Sequence, residues 1–137
     1  MREDRGVKIA GYCRISVDVE VDRDSTSIEN QKAIIQDFVN KNFPDAHLDF
    51  YVDRDRSGYT FEQRESYQQM RPLLMLGDYN ILIVKDLSRF SRRNSRGLVE
   101  LEDLRDAGVR IIAIGDGVDY PTHDDWTNIR LRFLLNE

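Results

Sequence analysis

The chain has 137 residues, 40% of them apolar and 33% charged, and a net charge of −5. That length carries one domain with a true core, and no apolar run approaches the roughly 20 residues needed to cross a bilayer. The acidic balance argues against sequence-independent nucleic-acid binding by the chain as a whole, and a single cysteine, Cys13, excludes an internal disulfide or a cysteine-based zinc site within it. The start, MREDRG, is charged and lacks a secretory apolar core, so a cytoplasmic protein is the default expectation.

The first predicted element is a strand, VKIAGYC (7–13), β-branched and nearly continuous as suits a strand covered on both faces. Its carboxyl end carries Arg14 and Ser16. The acidic stretch VDVEVDRDS (17–25) reads as a solvated loop rather than a cation site. STSIENQKAIIQDFVNKNF (25–43) predicts an amphipathic helix, capped by Ser25 or Ser27, with Ile28, Ile34, Ile35, Phe38 and Val39 as its apolar stripe. LDFYVD (48–53) is the second strand. FEQRESYQQMRPLLML (61–76) reads as helical, with Pro72 an awkward member and Gly77-Asp78 closing it. NILIVKD (80–86) is the third strand. NSRGLVELEDLRDAG (94–108) predicts a helix capped by Asn94 or Ser95, striped by Leu98, Leu101 and Leu104, and stopped by Gly108. VRIIAIG (109–115) is the fourth strand. After Pro121, Thr122 caps a last helix whose side carries Trp126, Ile129, Phe133 and Leu134, a pattern still running at Glu137 that reads as a piece of a longer protein.

Strands alternating with helices predict a three-layer α/β/α domain around a mostly parallel sheet. In such sheets the functional crevice lies beyond the carboxyl ends of the strands. Those ends carry Arg14 and Ser16, Asp53 to Gly58, Ser88 to Arg93, and Asp116. Four of the eight residues in RFSRRNSR (89–96) are arginine, so a local cationic site is expected despite the net negative charge.

Locally, Ser16 and Arg14 read either as a turn with a salt bridge or as a nucleophile beside a phosphate clamp. Arg14, Arg64, Arg89 and Arg92 are candidates to surround Ser16. A guanidinium is always charged and its planar fork matches phosphate oxygens. Several around one serine suit attack on a phosphodiester, where charge spreads over the non-bridging oxygens. No glycine-rich phosphate loop precedes a lysine and serine, which disfavours a nucleotide hydrolase. Neither His47 nor His123 has the context of a triad.

Four stretches then resemble one family: YCRIS (12–16), SIENQ (27–31), DRSGYTFEQR (55–64) and KDLSRFSR (85–92) stand in the order and spacing of the serine recombinases. The likeness is greatest to the large members, the integrases and transposases of phages and mobile elements, and it runs from Lys8 to Glu137. The resemblance implies a resolvase-like catalytic domain acting on double-stranded DNA. It implies cleavage through a 5′-phosphoserine link, a full protein that forms homodimers and a homotetramer within which strands are exchanged, and rejoining without metal or other cofactor. On the matching positions Ser16 is the nucleophile, Arg14, Arg64, Arg89 and Arg92 are the arginines of the site, Gln31 supports it, and Tyr12 is the aromatic before Arg14. Ser88 stands where many members have an acid, with Asp86 the nearest substitute. No lysine occupies the helix after Arg64, where Arg71 is the nearest cation. Arg93, Arg96 and Arg71 are expected to contact DNA.

The expected organisation is a catalytic core over 1–121 and the start of a long interface helix over 122–137, with DNA-binding modules elsewhere in the protein. Two rivals are a flavodoxin-like signalling module, disfavoured by arginines where an acidic pocket would be needed, and a DNA-bound regulator with the same fold and no activity.

Overall fold

Side chains alternate along a strand, and in β1 (Lys8–Ser16) that alternation separates two apolar cores. Ile9 and Cys13 join one, Ala10 and Tyr12 the other. The computed structural model describes residues 7–16, 27–55, 63–90 and 94–120, with residues 16, 55, 88, 89 and 94–96 described by backbone alone. The acidic stretch 17–25, all but its last residues of the segment 56–64, Arg92, Arg93 and the expected helix 122–137 lie outside the described residues.

After β1 come α1 (Ile28–Asn42), β2 (His47–Asp55), α2 (Glu65–Met75), β3 (Ile81–Val84), α3 (Leu87–Phe90), α4 (Asn94–Asp106), β4 (Arg110–Ala113), a 3-10 turn (Ile114–Asp116) and β5 (Val118–Tyr120). The sheet order is β2-β1-β3-β4-β5. The pairs β1–β2, β1–β3 and β3–β4 are parallel, and β4–β5 is antiparallel. The predicted α/β class and the four predicted strands are therefore present. Two short elements, α3 and β5, are additional.

Ile35 and Val39 of α1 cover one face of the sheet. Tyr67, Met70 and Leu74 of α2, with Leu101 and Leu104 of α4, cover the other. This double cover is why Ile81 to Val84 are all apolar and all buried. Ser27 caps α1, its hydroxyl accepting from the Asn30 amide at 3.1 Å. Pro72 sits inside α2 on its exposed side. Beyond α2, Gly77 adopts φ 88°, which lets the Asp78 amide reach back to the Leu73 carbonyl at 2.8 Å. Among the described residues no helix is long and apolar enough to cross a membrane.

Gly11 lets α1 approach the sheet. A Cβ there would lie 3.0 Å from the Phe50 ring and 3.2 Å from Ile35. Gly11→Val should therefore overpack this interface and lose about 1–3 kcal/mol of stability, read as a lowered urea midpoint with an unchanged m-value.

Candidate active site

A buried carboxylate organises the carboxyl ends of β1 and β2. Asp53 is 7% exposed. Its Oδ2 accepts from the Tyr12 hydroxyl at 2.8 Å and from the Tyr67 amide at 3.0 Å, and its Oδ1 from the Ser66 amide at 2.9 Å. Arg64, the residue before α2, offers no side-chain cap. Asp53 supplies it from β2 instead, placing negative charge at the positive end of the helix. One side chain thereby ties β1, β2 and the start of α2 together.

Arg14 follows Tyr12 on the same side of β1 and is 3% exposed. Its backbone is held by Gln31 of α1: the Arg14 amide donates to Gln31 Oε1 at 3.1 Å, and Gln31 Nε2 donates to the Arg14 carbonyl at 3.0 Å. The β1–β3 register ends at Tyr12 opposite Val84. Gln31 continues that ladder with a side-chain amide, fixing the strand two residues before its last residue, Ser16.

Arg64, 5% exposed, donates from Nη1 to the Phe90 carbonyl at 2.5 Å. Arg64 thus holds the last residue of α3, the short helix that contains Arg89. Above it, Tyr67 stands edge-on to Tyr12, with ring centroids 5.4 Å apart, and edge-on to Phe90 at 5.9 Å. The Tyr67 hydroxyl donates to the Glu100 carboxylate, which also accepts from Arg71 Nε at 2.6 Å. Arg71 reaches Asp103 as well, at 3.5 Å, so it serves as a strut between α2 and α4.

Tyr12 reports the field of the site. Burial drives its hydroxyl far above the usual tyrosine range, the positive charges of Arg64 and Arg14 oppose that shift, and Asp53 adds to it. Both arginines are therefore near enough for their charge to act on the hydroxyl of Tyr12, midway along β1. Burial likewise pushes the neighbouring Cys13 thiol up to about 12, which leaves it inert. An open cleft of about 330 Å³ lies between the end of β2 and the start of α2, lined by Asp53, Arg54, Arg64 and Ser66 among others.

Of the predicted site residues, Gln31 holds the Arg14 backbone, and Arg64 precedes the helix whose first-turn amides share Asp53 with the Tyr12 hydroxyl. Ser16 ends β1 opposite Asp55, and Arg89 lies in α3 and Arg96 in α4, each known by backbone. Arg92 and Arg93 lie outside the described residues. Asp86, the substitute acid, pairs with Lys85 at 3.3 Å. Sequence reasoning placed Asp53 and Asp116 at strand ends but assigned neither a role, and it missed Tyr67 and Glu100. An acid closing the apolar run FYVD was the available signal for Asp53. Among the described residues no group of three or more His, Cys, Asp or Glu side chains could hold a metal ion.

The Resolvase, N terminal domain family matches residues 9–134. The chain is similar to a resolvase family site-specific recombinase from Streptococcus pneumoniae, at 26% identity and TM-score 0.71, over 94% of this chain and 87% of that one. The N-terminal catalytic domain of TP901-1 integrase superposes with TM-score 0.72 at 18% identity, over 94% and 93% of the two chains. The C-terminal catalytic domain of ISC1926 TnpA, an IS607-like serine recombinase, gives 0.63 at 14%, over 96% and 100%. These last two share the fold. No curated protein matches the chain.

Asp53→Ala would strand the Tyr12 hydroxyl and two helix amides, and should lower stability by about 3 kcal/mol or more, with Asp53→Asn intermediate, read by chemical denaturation. Cys13 should resist iodoacetamide at pH 8 in the native protein and react promptly once unfolded in urea, followed by mass spectrometry.

Proposed function

The chain belongs to the resolvase N-terminal domain family, the catalytic domain of serine recombinases that carry out site-specific DNA recombination, and from that premise we propose that Ser16 is its nucleophile and Arg14 and Arg64 its inner phosphate clamp. What supports this reading is that Arg14 and Arg64 are both buried, at 3% and 5% exposure, and that Arg14 stands two residues before Ser16, the last residue of β1.

The chemistry follows from the residue types. The Ser16 hydroxyl gives up its proton and attacks a DNA phosphorus. An Oγ–P bond forms, the P–O3′ bond breaks, and the 3′ oxygen leaves as a hydroxyl. The product is a 5′-phosphoserine ester. Guanidinium groups offset the charge that accumulates on the non-bridging oxygens and favour the serine alkoxide. One phosphate ester is exchanged for another, so a 3′ hydroxyl from a partner strand can reverse the step and seal the new junction without an energy source.

Gln31 acts through backbone: it holds Arg14 in register and so sets where β1 ends. Arg89 and Arg92 are assigned to the outer side of the same phosphate, and Arg93 and Arg96 to the DNA backbone beyond it. Arg71, engaged by Glu100 and Asp103, is assigned to the fold rather than to DNA. We assign residues 1–121 to the catalytic core, in the cytoplasm, and 122–137 to the start of an interface helix. The helical spacing of the apolar residues Trp126, Ile129, Phe133 and Leu134 in the sequence supports a homodimer that pairs into a tetramer for strand exchange.

The test uses the full protein on duplex DNA spanning the ends of the element that encodes it. A covalent protein–DNA adduct at a 5′ phosphate should form with the wild type and disappear with Ser16→Ala. An adduct that survives the substitution would move the nucleophile elsewhere. Arg14→Ala should slow adduct formation by roughly 10²-fold or more, the scale of losing one preorganised charge donor.

A further inference from the structure

The segment that carries Arg89 is a four-residue helix, too short to hold its own place. Its C-terminal carbonyl, that of Phe90, is held by Arg64. Its first amide, that of Leu87, donates to Asp116 Oδ2 at 2.7 Å. Asp116 ends the 3-10 turn Ile114–Asp116, between β4 and β5. A second bond closes the same contact: the Gly115 amide donates to the Lys85 carbonyl at 2.6 Å. Gly115 makes that approach easy, because a Cβ would lie 3.0 Å from that carbonyl oxygen and press on it. Gly117, at φ 67°, then turns the chain into β5.

We propose that Asp116 is a positioning residue for recombination, anchoring the start of the arginine-bearing helix α3 from the β4–β5 turn. This rests on the reading that Arg89 and Arg92 grip the scissile phosphate. The short helix is then a span held at two points, Asp116 at its start and Arg64 at its end, and Arg89 inherits its backbone position from both. Asp116 acts through the backbone and meets no reacting atom. Its effect falls on the rate of cleavage and not on the hold on DNA, since a phosphate clamp misplaced by about 1 Å loses on the order of 10²-fold in rate.

The measurement is single-turnover adduct formation by the full protein at saturating concentration of the same element-end duplex, alongside its binding curve. Asp116→Ala should lower the rate about 10-fold to 100-fold with the half-saturating DNA concentration unchanged. Asp116→Asn retains an oxygen that accepts from the Leu87 amide and should stay within about threefold of wild type, the rescue expected if the hydrogen bond is what matters. Gly115→Ala, which leaves the carboxylate in place and presses the turn off the Lys85 carbonyl, should also slow cleavage in a protein that still binds DNA.

The inference is overturned if Asp116→Ala cleaves at the wild-type rate, if Asn and Ala lose activity equally, or if the loss is matched by weaker binding. A folded Gly115→Ala variant at full rate overturns it independently of how Asp116→Ala folds. Ser16→Ala in the same series separates the two readings. If its adduct vanishes while Asp116→Ala keeps full speed, only the positioning role is lost. If its adduct persists, the nucleophile assignment fails and the positioning role fails with it.

Discussion

The Asp53 side chain, buried and accepting from three donors, is the constraint on which the rest of this end of the molecule depends. A polar group taken out of water is tolerated only where its lone pairs are met. Asp53 meets them with a hydroxyl from β1 and two amides from the first turn of α2. The helix cannot shift along the sheet without breaking those bonds, and Arg64, the residue before the helix, is carried with it. Tyr12 is fixed by the same carboxylate, and Arg14 stands two residues farther along its strand. The guanidinium groups are thus placed by an acid they need not touch.

A second layer transmits that placement outward. Tyr67 packs edge-on between Tyr12 and Phe90 and bonds Glu100 through its hydroxyl. The aromatic rings fill the space between strand, helix and arginine segment, and a filled interior leaves little freedom for any one of them to move alone. Gln31 does the corresponding work on the opposite face of the sheet, where its amide substitutes for a missing strand. The site is accordingly built from both layers of the domain.

Much of the architecture was legible in the sequence because burial on both faces leaves a plain mark. The runs 7–13, 80–86 and 109–115 are mostly apolar without strict alternation, and each overlaps a strand. Ser27 was readable as a cap because its partner, Asn30, lies within the same turn. Arg14 and Arg64 were singled out as candidates from the rule that strand ends carry function, and Gln31 from the family resemblance. What escaped was either too short or too distant. The four residues of α3 and the three of β5 contain no period to detect. Asp53 acts on groups 13, 14 and 41 positions away, and Arg64 reaches a carbonyl 26 positions away. No local pattern encodes such partnerships; only the folded topology brings them together.

The antiparallel final strand gives the domain two poles. The parallel strands bring Arg14, Ser16 and Asp53 to one end of the sheet. β5 runs the other way, so Tyr120 lies opposite Ile111, near the start of β4. With about 3.3 Å per residue, β5 carries the chain roughly 10 Å back along the sheet. A pull or a twist applied at Tyr120 therefore enters the domain through β5, and the first feature it meets on the way to Arg14 and Arg64 is the turn that holds Leu87.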